Sequence, residues 1–120
     1  MNYTFNTLDE VVNYFTDKGF RQFNPPNFAS YYNVVTMLQK KYVDEKGIRY
    51  FIDIKVWDWR DCERVKENYS VEFEGQYYQK DTHNAVNFTF IDWKLEEVES
   101  WLDKLFDANL IEHYEQFDNY

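Results

Sequence analysis

Two histidines, one cysteine and a surplus of carboxylates are the residues of this chain that could do chemistry. His83 lies in a predicted turn and His113 near the C-terminus, and neither belongs to an H-x-x-x-H spacing. Cys62 has no second cysteine to share a metal or a disulfide with. It sits in DWRDCERVK, where Arg60 and Arg64 favour the thiolate while Asp61 and Glu63 oppose it. A nucleophilic pair of Cys62 with either histidine would have to be built by the fold, and no local signature announces one. Among the acids, Asp53, Asp58 and Asp61 stand out because they lie on or just after a predicted strand beside tryptophans. A glycosidase-like pair would need one of them in a cleft with a raised pKa. The simpler reading is solvated or salt-bridged acids. Gly19, Gly47 and Gly75 are too far apart for a phosphate-cradling loop. The expectation is therefore no catalytic residue, no metal site and no cofactor.

The element that positions everything else is Arg49–Arg60, RYFIDIKVWDWR. Tyr50, Ile52, Ile54 and Val56 alternate with Phe51, Asp53, Lys55, Trp57 and Trp59, the two-residue period of a strand with one face in a core. The other face mixes Phe51, Trp57 and Trp59 with Asp53, Lys55 and, from a later strand, Glu72. Clustered aromatics rimmed by charge suit a protein contact surface.

Around that strand the pattern predicts a sequence of short elements. Thr7-Leu8-Asp9-Glu10 reads as a capping box, followed by a helical stripe of Leu8, Val11, Val12 and Phe15 that stops at Gly19. Asn24-Pro25-Pro26-Asn27 is a break. Tyr31–Val43 reads as a strand joined through Asp44–Gly47 to the central strand as a hairpin. Asp58–Asn68 is a polar connection. Tyr69–Tyr78 alternates again, with Gly75 expected to mark a bulge or bend. After a turn at Lys80–Asn84, Ala85–Trp93 is the fourth strand, with Val86, Phe88 and Phe90 on one face and Asn87, Thr89 and Ile91 on the other. Asp92 is the expected cap of a helix whose stripe is Leu95, Val98, Trp101, Leu102, Leu105 and Phe106. Asn109 closes it, and Leu110–Phe117 suggests a last short helix.

The predicted fold is one α+β domain over residues 1–120. It has an N-terminal helix, a four-stranded antiparallel meander and one or two C-terminal helices, in two layers. A helix followed by four antiparallel strands resembles the cystatin-like arrangement in topology over residues 7–93, and that likeness carries no function.

Composition narrows the function. One cysteine fits a reducing compartment, the N-terminus MNYTFNTLDE has no signal-peptide pattern and no apolar run reaches membrane-spanning length, so the expected location is cytoplasmic. Sequons at Asn2, Asn68 and Asn87 then read as chance. The net charge is −9, and residues 71–120 hold twelve acids against three bases. Such a field repels nucleic acid and anionic membranes and attracts basic partners. Aromatics reach 22% of the chain, more than a small core needs, which leaves Tyr and Trp for contacts.

These features read as a small acidic, non-enzymatic binding protein. It would inhibit a basic or nucleic-acid-processing protein, of the phage or mobile-element anti-defence or toxin-immunity type, by imitating nucleic-acid charge. In character it resembles the small acidic inhibitors of such elements. The expected partner-binding residues are Glu96, Glu97, Glu99, Asp103 and Asp107 on the last helix, with Phe51, Trp57 and Trp59 on the sheet. The partner is a protein with a basic surface, with no direct nucleic-acid or membrane binding, and a homodimer is compatible. Two alternatives stay open. One is a small-molecule or enzymatic pocket built from Tyr50, Asp53, Trp57, Trp59 and His83. The other is a homo-oligomeric assembly protein that buries the mixed sheet face between copies.

Overall fold

The computed structural model describes residues 3–23 and 33–114. The alternation that begins at Gly47 makes the centre of a single curled antiparallel sheet of seven strands. In chain order the elements are β1 (Thr4–Phe5), α1 (Leu8–Thr16), β2 (Arg21–Gln22), β3 (Val34–Asp44), β4 (Gly47–Asp58), β5 (Tyr69–Gln79), β6 (Asn84–Phe90), α2 (Leu95–Asp107) and β7 (Ile111–Glu112). The path across the sheet is β1-β5-β4-β3-β2, with β6 and β7 also pairing to β5.

This corrects the expected helix, four-stranded meander and two layers. The helix is not the first element, because Thr4 and Phe5 pair with Ser70 and Tyr69 before it starts. Arg21 and Gln22 add an edge strand beside Gln39 and Leu38. Leu110–Phe117 does not open as a helix: Ile111 and Glu112 pair with Gln79 and Tyr78, and residues from 115 onward lie outside the described ones, as do Asn24–Tyr32 and the break predicted there. Two-residue strands carry no periodicity of their own, and only long-range register defines them. The cystatin-like likeness goes with the meander on which it rested.

Cross-strand partners share a face, so the register sorts the side chains. Leu38, Ile54 and Phe73 are in line, as are Tyr42, Tyr50 and Tyr77. This face receives both helices, and Tyr50, Ile52, Ile54 and Val56 are fully buried there with Val11, Phe15, Val98 and Leu102. Burial also reaches the opposite face. Phe51 packs with Tyr114 and Tyr78, and Met37, Gln39 and Asp53 are buried there as well.

Local chemistry sets the element ends. Thr7 Oγ1 accepts from the Glu10 amide at 3.2 Å, while the Glu10 carboxylate takes the Asn6 amide rather than that of Thr7. Gly19 sits at φ +99°, and the Phe20 amide turns back to the Phe15 carbonyl at 3.0 Å, the left-handed close of a helix. Lys40 Nζ donates to the Lys18 carbonyl at 2.8 Å, bringing a cation to the negative end of α1. Asn109 at φ 65° closes α2 in the same way, with the Leu110 amide bonded to the Leu105 carbonyl.

Two smaller expectations are corrected. Gly75 makes no bulge, since the β4–β5 register runs unbroken past it. It is glycine because Phe90 and Leu102 press on its Cα, where an added Cβ would stand 3.0 Å from Phe90 Cε2. Asp92 does not cap α2. It lies at φ 61° before the helix, the cap is Lys94 two residues later, and the Glu97 carboxylate accepts from the Lys94 amide at 2.8 Å.

Candidate partner-binding surface

Helix α2 presents its carboxylates in two groups. Leu95, Val98 and Leu102 are buried against the sheet, and Glu99 and Asp103, one turn apart, flank that stripe on the β3–β4 side. The Tyr42 hydroxyl donates to Glu99 Oε2 at 2.6 Å. The Tyr50 hydroxyl and Arg49 Nη1 both donate to Asp103 Oδ1 at 2.7 Å. The two tyrosine rings stack at 4.6 Å. Burial, then the hydrogen bonds to Glu99 and Asp103, push both phenols well above the ordinary tyrosine range, so they remain donors. Glu99 and Asp103 therefore tie α2 to the sheet. They are not a free row of charge.

The second group is outward. Glu96 and Glu97 in the first turn and Asp107 in the last are exposed. Tyr3 anchors this end of the helix, accepting from the Leu95 amide at 3.1 Å and donating weakly to Glu96 at 3.4 Å. Burial raises its phenol to about 12.

The aromatic half of the expected site is divided. Phe51 is buried against Tyr114, with ring centroids at 5.3 Å, and offers a partner no surface. Trp57 and Trp59 lie about 20 Å farther along, by the rise of a strand over six residues. They stack at 5.5 Å with planes 10° apart, and Trp59 Nε1 donates to Ser70 Oγ at 2.7 Å. This half-buried pair borders a hollow of about 180 Å³ together with Glu72 and Ile91.

Asp53 is a closed centre. It is 4% exposed. Gln39 Nε2 donates to Oδ1 at 2.8 Å and Gln76 Nε2 donates to Oδ2. Burial raises its pKa to about 6; Glu74 adds to the rise, and the two glutamines and Lys55 oppose it. Lys55 stands 3.9 and 3.7 Å from Glu72 and Glu74. With both oxygens held by amides and almost no exposed area, Asp53 cannot reach a substrate as an acid or base.

The pocket expected from Tyr50, Asp53, Trp57, Trp59 and His83 is not assembled. Tyr50 faces the helices, Asp53 faces away from them, and His83 lies in the β5–β6 turn with Nδ1 2.6 Å from Glu112. His113 Nε2 is 2.8 Å from Asp44. Cys62, in the β4–β5 connection, is partly exposed. Among the described residues, no three of His, Cys, Asp and Glu converge as metal ligands. On that face Phe51 and Asp53 are covered within one chain, while Trp57 and Trp59 stay half-open.

A surface that the sequence reading missed lies along α2, next to β6. Trp93, Glu97 and Trp101 follow one another at four-residue steps and flank an open groove of about 410 Å³ with Glu96, Ser100 and Lys104. Phe88, 46% exposed, meets Trp101 at 5.5 Å, and Phe90 meets Trp93 at 5.0 Å and Trp101 at 5.4 Å. The W-x₃-E-x₃-W spacing was the available signal. Trp101, expected in the buried stripe, lies at its margin.

No family model, curated protein or solved structure matches this chain. Among the described residues no helix is long and apolar enough to cross a membrane.

Proposed function

We propose that this protein is a non-enzymatic binder that engages a basic protein surface and inhibits its owner, such as a nucleic-acid-processing enzyme or a toxin. The observation that carries the reading is the groove of α2, where exposed Glu96 and Glu97 stand beside Trp93 and Trp101. Carboxylates next to accessible indoles suit Arg- and Lys-rich partners. The acids steer the encounter and the rings give area and cation–π contact. The chain's charge of −9 adds long-range attraction that salt screens. An anti-defence or toxin-immunity role fits this chemistry.

The contact set is thereby narrowed. Glu96, Glu97 and Asp107 with Trp93, Trp101 and Phe88 form the surface. Glu99 and Asp103 hold the helix to the sheet through Tyr42, Tyr50 and Arg49, and Phe51 has no part in it. The test compares wild type with the double variant Glu96→Gln, Glu97→Gln as baits in lysate of the source organism and its neighbours, at low and high salt. The expected result is a basic protein retained by wild type, released by salt and lost from the variant, whose activity falls when purified wild type is added. Retention by both baits, or no effect on the captured protein's activity, would overturn the reading.

A further inference from the structure

We infer that the outer edge of β6 is a strand-addition site for an extended basic segment of the partner. The inference rests on the proposed function for the partner's charge and on separate observations for the mode of binding.

Strand β6 pairs with β5 from Phe73↔Phe90 to Gln79↔Asn84 without a register shift. Among the described residues no strand pairs with its other side. Every second N–H and C=O of an antiparallel edge strand points away from its one neighbour. Folded proteins usually protect such an edge with lysine, proline, a bulge or extreme shortness. The sequence NAVNFTF has no charge and no proline, runs seven residues without a bulge and is buried only at Phe90. The contrast within this sheet is sharp, because β2 is two residues long and carries Arg21.

Side chains beside the edge supply the selectivity that backbone pairing lacks. An added strand would alternate, with every second side chain on the helix side. On that side Phe88 lies against Trp101, and Phe90 against Trp93 and Trp101, so these rings border the edge. On the far side Asn87 and Thr89 are exposed, with Glu74 in register beside Thr89. Apolar residues on the helix side against the rings, and basic residues on the far side toward Glu74 and within the field of a chain of net charge −9, match this arrangement. A second copy of the chain is the poorer occupant, since pairing β6 with β6 would bring together two molecules of net charge −9 and set their α2 carboxylates side by side.

The test titrates isotope-labelled protein with the peptide Lys-Val-Lys-Phe-Lys-Val-Lys, and with the same peptide N-methylated at alternate residues to block one edge. Amide exchange of residues 84–90 is followed throughout. The expected result is at least tenfold slower exchange at alternate β6 amides with the first peptide. Binding of the methylated peptide, and binding to Phe88→Ser, should each be at least tenfold weaker. Equal binding of both peptides, with changes confined to α2, would overturn the edge site and leave the acidic-surface reading standing. A Ser-Val-Ser-Phe-Ser-Val-Ser peptide that protects β6 as well as the lysine peptide would instead overturn the basic partner and keep the edge. Binding of neither peptide, or a dimer with β6 already protected, would overturn the inference.

Discussion

Tyr50, at the centre of the sheet, and Asp103, on the third turn of α2, are joined by a 2.7 Å hydrogen bond from phenol to carboxylate. Arg49 reaches the same oxygen from the neighbouring position of β4. The contact fixes how α2 lies on the sheet, and with it the direction in which Glu96, Glu97 and Trp101 face. Removing the hydroxyl with Tyr50→Phe should lower stability by about 1–2 kcal/mol, the usual worth of a hydrogen bond to a charged group reduced for the carboxylate's partial exposure. Urea unfolding checks it. A double-mutant cycle with Asp103→Asn should show coupling, and strict additivity would count against a shared role.

Exposed and tethered acids of α2 should separate in their effects. Changing Glu96 and Glu97 to Gln keeps the cap on Lys94, because a glutamine can accept the same amide. Stability should stay within about 0.5 kcal/mol of wild type while partner affinity drops. Glu99→Gln should show the opposite pattern, with a lower unfolding midpoint from the weakened Tyr42 bond. Paired denaturation and binding measurements on the two variants decide this.

Asp53 makes stability depend on pH with a definite sign. Its folded pKa of about 6 lies above the ordinary 3.8, so the folded state holds the proton more tightly. Its favourable contribution is complete below about pH 4 and is lost as pH rises through about 6. By linkage the loss approaches about 3 kcal/mol. Asp44 and Asp58 are lowered, Asp44 by hydrogen bonds from Lys46 and His113 against its own desolvation, Asp58 chiefly by Arg60. Their contribution runs the other way, present above the ordinary carboxylate pKa and lost in acid, and it is small because both ion pairs are open to solvent screening. Urea midpoints at pH 4.5 and 7.5 should therefore fall for wild type and stay level for Asp53→Asn, in which Gln76 can turn its amide to accept.

Gly75→Ala tests the packing of β5 beneath α2. The added methyl would stand 3.0 Å from Phe90 Cε2 and 3.3 Å from Leu102 Cδ1, both in fully buried side chains. Overpacking of this kind costs about 1–3 kcal/mol. Thermal unfolding should show the loss, and an unchanged midpoint would mean that Phe90 and Leu102 yield freely.

What the chain determined by itself is local. The Thr7 cap, the Gly19 stop, the alternation of β4, the tight Asp44–Gly47 turn and the stripe of α2 are all written in short-range spacing, because the periods of helix and strand and the sterics of turns act over a few residues. Which residues end up available to a partner is not local. Phe51 and Trp57 share one face of one strand, yet Tyr114, sixty-three residues further along the chain, covers Phe51 and leaves the tryptophan half open. Glu96 and Glu99 look alike in sequence, but register brings Tyr42 only to Glu99. Periodicity says that a residue has a face. Only the tertiary pairing of strands and helix decides whether that face meets another part of the chain, and hence that, among the described residues, the outer side of β6 pairs with no strand beside Trp101.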